Sequence, residues 1–127
     1  MGALDEIFAR LEARNDAPAL FWDGRLIETS DLLRRVESWR SRLKAFGLRR
    51  GDVCGFVGDY SPETSALMLA CLRDGHVMAP FTSQTKAELE TFCDIAAVRQ
   101  LIRFEPDDSW TAEARAAGSR AELVERF

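Results

Sequence analysis

The stretch Phe46–Pro80 constrains the fold more than any other part of the chain. Its short apolar run, Val53–Val57, is typical of a strand covered on both faces of a parallel sheet. Ser61-Pro62-Glu63 then combines a capping hydroxyl, a proline and an acid, which is the pattern of a helix N-terminus. Gly75 suits the left-handed position just after that helix, and His76–Ala79 extends again. A strand, a crossover helix and a second strand predict a right-handed, parallel βαβ unit.

The segments on either side continue the alternation of helices and strands. Apolar spacing predicts amphipathic helices over residues 4–14 and 31–46, and Asp23-Gly24 is the preferred turn of a β-hairpin. Thr85 and Glu88 form a capping box that opens a further helix. The apolar side chains of that helix that we expect to face inward are Leu89, Phe92, Cys93 and Ala96.

The last third of the chain is less regular. Leu101–Phe104 is predicted to be a strand, residues 109–118 a loop with some helical character, and residues 119–127 a weaker helix. The helix after Ser61 is apolar nearly all round between Ala66 and Leu72, which predicts burial. The predicted fold class is therefore α/β, an N-terminal β-hairpin followed by βαβ units with a mostly parallel sheet flanked by helices. At 127 residues, one domain spanning 1–127 is expected.

Composition excludes several classes of protein. A hydrophobic fraction of 46% and a charged fraction of 30% are those of an ordinary globular domain. The net charge of -4 does not support a nucleic-acid partner, and no apolar run is long enough to span a bilayer. The cysteines are odd in number, widely spaced and set in apolar runs, which predicts reduced, buried thiols and a cytoplasmic protein: Cys54, Cys71 and Cys93.

Four segments, in order, carry a family resemblance. Pro18–Arg25 looks like an opening hairpin, and Glu28–Val36 is similar to a threonine-tyrosine-x-glutamate-leucine helix start, with Ser30 and Asp31 departing from it. Gly47–Val53 resembles the signature G-V-x-x-G-D-x-V. Residues 69–80 resemble L-A-x-x-x-A-G-A-x-x-x-P, although Asp74 and His76 replace two of its alanines. Together they resemble the N-terminal subdomain of the adenylate-forming, AMP-binding enzymes, which include acyl-CoA synthetases and adenylation domains.

The resemblance implies the chemistry of a longer parent enzyme. Such an enzyme uses ATP and Mg²⁺ to join a carboxylate to AMP, and then passes the acyl group to a thiol of CoA or of a carrier protein. The motifs that bind ATP and supply the catalytic lysine are absent, so we assign no catalytic residue and no metal ligand, and no cofactor to this chain by itself. We expect this chain alone to be inactive. Its expected partners are the remaining subdomains of the parent or a complementary chain, with a carrier protein and a second copy as further candidates.

Local polar segments have plainer interpretations. Residues 82–86 follow a strand but contain no glycine, which favours a helix cap over a phosphate loop. Gly58–Ser61 lies at the carboxyl end of a strand, where such folds place ligands, although an ordinary capped turn is favoured. His76 is the only histidine and lacks companion metal ligands. Asp107-Asp108 is interpreted as a solvated acidic pair in a loop, with no support for a metal.

A basic segment leaves two alternatives open. Residues 25–50 carry eight Lys or Arg and three acids, a local excess of five positive charges. An apolar stripe is predicted on the helix within this segment, and Arg34, Arg35, Arg40, Arg42 and Lys44 lie on its other face. A solvated helix face is favoured, and a docking surface for an acidic partner is the alternative. The chain itself is interpreted as a fragment of a ligase, as one half of a split enzyme, or as a stand-alone binding module.

Overall fold

A computed structural model describes residues 2–14, 17–81 and 86–115. The elements in chain order are α1 (Ala3–Glu12), β1 (Pro18–Trp22), β2 (Arg25–Glu28), α2 (Thr29–Ala45), β3 (Val53–Val57), α3 (Pro62–Asp74), β4 (Val77–Phe81), α4 (Lys86–Ala96), β5 (Val98–Phe104) and β6 (Trp110–Ala114). The predicted α/β class is confirmed, with a hairpin preceding a mostly parallel sheet.

The hairpin β1–β2 turns where the sequence predicts. Asp23 and Gly24 both have positive φ, 49° and 73°, which is the mirror-image turn that matches the twist of antiparallel strands. Thr29 then connects the hairpin to α2, because its backbone N–H and its hydroxyl both donate to the Ala17 carbonyl at 2.9 Å. The hairpin is thereby fixed against the start of α2.

The larger sheet has the strand order β4-β3-β5-β6, with β3 parallel to both of its neighbours. From β3 the chain passes through α3 to β4 on one side, and from β4 it returns through α4 across β3 to β5. Because both crossovers are expected to be right-handed and they run in opposite directions, α3 and α4 cover opposite faces of the sheet. The predicted βαβ unit is confirmed.

The two faces of the sheet have separate apolar cores. Cys54 and Phe56 of β3 point to one face, where the buried side chains of α2 and α3 cover them. Trp39 and Leu67 are fully buried in that layer, and α1 adds Phe8. The opposite core contains the buried side chains of Leu89, Cys93, Val98 and Leu101.

The start and end of α3 follow the predicted signals. Ser61 Oγ accepts the Thr64 backbone N–H at 3.1 Å, and Pro62 occupies the first turn. Gly75 adopts the left-handed conformation, φ 74°, and the next residue, His76, donates its N–H to the Cys71 carbonyl at 2.9 Å. The helix is therefore capped at both ends by residues that its sequence identifies.

Several expectations were wrong. Residues 110–114 form strand β6, antiparallel to β5, although loop with helical character was expected. Strand pairing overrides the weak local preference here, because β5 would otherwise leave an open edge.

On α3, Met68 and Leu72 are exposed, so that helix is buried on only part of its surface. On α4, Phe92 is exposed, while Leu89 and Cys93 face inward as predicted. The helix predicted at 119–127 and the cap at Thr85 lie outside the described residues.

Candidate functional site at the carboxyl edge of the sheet

The carboxyl ends of the parallel strands meet at one edge of the sheet. There the chain leaves β3 towards α3 and β4, whereas it leaves β5 towards β6 on the opposite side. Connections that diverge from adjacent parallel strands open a crevice, which is where open α/β sheets place ligands. A cleft of about 380 Å³ lies at this point, between the turn that follows β3 and the turn that follows β5.

Gly58 allows the two turns to lie this close together. Its φ of 152° lies in a region that side-chain-bearing residues rarely adopt, and a Cβ there would be 2.8 Å from the Cβ of Phe104. Asp59 and Tyr60 follow Gly58, are exposed, and line the cleft. Ser61 is buried and caps α3, so the segment Gly58–Ser61 combines the predicted capped turn with a wall of the cleft.

The loop after β5 corrects the interpretation of its acidic pair. Asp107 accepts hydrogen bonds from the Ser109 hydroxyl at 2.6 Å and from the Ser109 backbone N–H at 3.0 Å, and these bonds lower its pKa. Asp108 is not a freely solvated acid, because its Oδ2 accepts the Glu63 backbone N–H at 3.1 Å. The Asp108 carboxylate therefore satisfies a free donor at the N-terminus of α3 and fixes the β5–β6 turn to that helix.

Glu63 is the centre of a polar cluster that the sequence did not reveal. Its Oε1 accepts from Arg35 at 2.6 Å and its Oε2 accepts from the indole N–H of Trp39 at 2.6 Å. The guanidinium of Arg42 lies 4.7 Å from the Trp39 ring centroid and 5.0 Å from that of Trp110. Burial lowers the pKa of Arg35, but the carboxylates of Asp31 and Glu63 outweigh it, and the net shift is upward.

The basic face of α2 is only partly exposed, and three of its arginines pair with acids of α3, so a solvated face is the wrong interpretation for those three. Arg35 and Arg42 approach Glu63, and Arg40 makes a bidentate contact with Asp74 at 2.9 and 3.1 Å. The sequence predicts these pairs only if α3 is already known to lie beside α2. Arg34 and Lys44 remain exposed.

The two departures from the family pattern within residues 69–80 also have partners in the chain. Asp74, where alanine is usual, pairs with Arg40. His76 is buried, and its Nδ1 lies 2.9 Å from the Arg49 carbonyl oxygen, to which it donates. Both substitutions therefore fit the packing between α2, α3 and β4.

The cysteines lie apart from the cleft, in the apolar cores on the two faces of the sheet. Cys54, Cys71 and Cys93 are free and buried, as predicted. A hydrogen bond to Cys54 and burial raise the pKa of the Cys71 thiol, and burial raises that of Cys93. No group of three or more His, Cys, Asp or Glu in residues 2–14, 17–81 and 86–115 could hold a metal ion. Over the same ranges, every helix is too short or too polar to cross a bilayer.

The sequence matches known proteins along most of its length. A family model described as "AMP-binding enzyme" matches residues 7–125. An acetyl-coenzyme A synthetase of Rubrobacter xylanophilus is 30% identical over 93 residues, which cover 65% of this chain and 14% of that protein. The chain thus spans a small part of the curated relatives that it matches.

Two solved structures share the fold. The N-terminal subdomain of Klebsiella oxytoca NpsA superposes with a TM-score of 0.71 at 27% identity, over 98% of this chain and 33% of that chain. NpsA-ThdA, an artificially fused adenylation–PCP di-domain from the same organism, gives a TM-score of 0.73 at 25% identity. That match covers 100% of this chain and 24% of the fusion.

Proposed function

The chain belongs to the AMP-binding enzyme family, and on that premise we propose that it is the N-terminal part of an ATP-dependent ligase that activates carboxylic acids. In such an enzyme a carboxylate oxygen attacks the α-phosphorus of ATP, and pyrophosphate leaves to give an acyl-adenylate. A thiolate then attacks the acyl carbon, and AMP leaves as the thioester forms. Mg²⁺ and ATP belong to the complete enzyme in this proposal.

The observation that carries this proposal is the match to an isolated N-terminal subdomain. Nearly the whole chain aligns with one third of the NpsA subdomain structure, at 27% identity and without a change of fold. A family model over 7–125 supports the same assignment. We propose that residues 1–127 form one folding unit of the parent enzyme and that it works in the cytoplasm, which the three reduced thiols favour.

In our proposal, this unit does not catalyse adenylation by itself. Its sequence holds no glycine-rich phosphate loop, and the carboxyl-edge cleft contributes carboxylates rather than cations. Apolar side chains on α4 also remain uncovered: Phe92 is 42% and Ile95 66% exposed, one helical turn apart. An uncovered apolar face is what a unit of a larger enzyme presents when its neighbour is missing.

The test measures pyrophosphate release with ATP, Mg²⁺ and a panel of carboxylic acids that includes acetate. The 127-residue chain should release none, and the complete polypeptide encoded by its gene should release it with at least one acid. If that gene encodes only these residues, the partner that copurifies with the native chain takes the place of the missing part. Release by the isolated chain would refute its assignment as an inactive part, and no release by the complete enzyme would refute the proposed activity.

A matched pair of variants tests whether α4 meets the rest of the enzyme. Ile95→Asp should weaken the association of the chain with the remaining polypeptide, because it places a charge on the apolar face. Thr91→Asp changes an exposed residue of the same helix that is already polar and should leave association unchanged. Equal association of both variants in analytical ultracentrifugation would place the interface elsewhere.

A further inference from the structure

The cleft at the carboxyl edge has walls of two kinds. Aromatic residues are contributed by Trp22 of the hairpin, Tyr60 after β3, and Phe104 at the end of β5, whose ring also packs against Trp39. Carboxylates are contributed by Asp59 and Glu105. The lining that the structure describes includes no Lys, Arg or His. The cleft is thus aromatic and acidic in a part of the fold where ligands commonly bind.

The two cleft carboxylates differ in their ion pairing from most other acids near α2 and α3. Glu63 and Asp74 are neutralised by arginines of α2. Asp59 and Glu105 form no ion pair with any residue in the described ranges, and both are exposed at the cleft. Two uncompensated negative charges in the lining of one cleft repel ATP, pyrophosphate and a substrate carboxylate, so the chemistry of this cleft opposes the reactants of the proposed ligase.

We propose that the cleft binds an arginine side chain carried by the part of the parent polypeptide that lies outside these 127 residues. A cation over an aromatic face is attracted by the ring quadrupole, and a guanidinium also stacks on flat rings while donating to carboxylates. The match to 14% of a relative and 33% of a subdomain structure leaves a large surface from which such a residue can come. This assignment rests on the proposed function, since it takes its occupant from the parent enzyme.

The geometry explains why this site would recognise arginine and also position the surrounding chain. The aromatic residues come from three separate elements, the hairpin, the β3–α3 turn and β5, so an inserted side chain would lie between all three. The β3–α3 turn is fixed by the Ser61–Thr64 cap, and the β5 turn is tied to α3 through Asp108 and Glu63. The walls are therefore held before the arginine arrives, which lowers the entropic cost of binding.

A titration with a small probe tests the assignment directly. The probe is N-acetyl-arginine-methylamide, whose only charge is the guanidinium, added to the ¹⁵N-labelled 127-residue chain at low ionic strength. The indole N–H resonance of Trp22 should shift and saturate, while the resonances of Trp39 and Trp110 should stay in place. N-acetyl-citrulline-methylamide, a neutral analogue of similar shape, should produce no saturable shift.

Variants at exposed positions separate the roles of charge and ring. Asp59→Asn with Glu105→Gln should weaken probe binding by about tenfold, because each screened carboxylate contributes up to about a factor of five. Glu12→Gln with Glu113→Gln removes the same charge from exposed sites outside the cleft and should bind like the unmodified chain.

Tyr60 provides a second, independent variant pair. Tyr60→Phe keeps the ring and should bind normally, whereas Tyr60→Ala should weaken binding by about threefold. No saturable shift of Trp22, equal binding of citrulline, or equal binding by the Asp59–Glu105 double variant would each overturn the assignment. Because the titration needs no catalysis, its failure is distinct from absent pyrophosphate release, which would refute the proposed function instead.

Discussion

Replacing Glu63 with alanine is the perturbation whose effect the structure specifies best. The Glu63 side chain is 16% exposed and accepts from both Arg35 and Trp39 at 2.6 Å. Trp39 is fully buried, so its indole N–H would lose its partner without gaining water, at a cost of about 1–3 kcal/mol. Arg35 is 31% exposed and keeps Asp31, so its share is smaller, about 0.5–1 kcal/mol. We therefore expect Glu63→Ala to lower the free energy of unfolding by about 1.5–4 kcal/mol.

Urea unfolding followed by tryptophan fluorescence measures this loss. With a denaturant dependence of about 2 kcal/mol per molar urea, the midpoint should fall by about 1–2 M. Glu37→Ala is the matched control, because Glu37 also pairs with an arginine of α2 but is 65% exposed. The control should cost about 0–0.5 kcal/mol.

A double-mutant cycle identifies which bond carries the effect. Trp39→Phe removes the indole N–H while keeping an aromatic ring in the core, and Glu63→Ala should cost about 1 kcal/mol less in that background. If Glu63→Ala and Glu37→Ala destabilise equally, the reasoning fails. In that case the free-energy cost of desolvating Glu63 and Arg35 would cancel the stabilisation that their contact contributes.

Three further predictions follow from the same structure. Gly58→Ala should destabilise the chain by about 1–3 kcal/mol more than Gly24→Ala does, as followed by thermal unfolding in circular dichroism, because, of these two glycines, only Gly58 faces a clash with Phe104. Equal effects of the two substitutions would contradict this. Asp108→Ala should destabilise by about 1–2 kcal/mol in thermal unfolding, since it removes the acceptor for Glu63 N–H and leaves alanine at φ 71°, whereas Asp108→Asn should cost less. The three buried thiols should react with a disulfide reagent only after unfolding, even at pH 8. The reason is burial, together with the raised pKa values of Cys71 and Cys93, which lower the fraction of thiolate. Fast reaction of the native chain would contradict this.

The elements that the sequence predicted well are those whose signals lie within a few residues. Asp23-Gly24 specifies its turn because both positions need positive φ, and Ser61-Pro62 with Gly75 specifies both ends of α3. The family resemblance could also be recognised from the sequence, because its glycines and prolines lie at the boundaries of elements that follow one another in a fixed order. Local chemistry of this kind needs no knowledge of what lies across the fold.

The elements that the sequence missed depend on pairing between distant segments. Strand β6 exists because β5 offers it an edge, and its own residues show little preference for a strand. Phe92 looks like a core residue by spacing, but α4 meets the sheet along a narrower stripe than the pattern suggested.

The sequence by itself determined the α/β class, the hairpin, the capped crossover helix and membership of the AMP-binding family, because hydrophobic period and capping act over one or two turns. Tertiary structure alone decided that Glu63 joins Arg35 to Trp39, that Asp108 caps α3 from 45 residues away, and that Trp22 meets Tyr60 and Phe104 in one cleft. Those groups are far apart in the chain and become neighbours only when opposite-running crossovers bring three loops to one edge of the sheet.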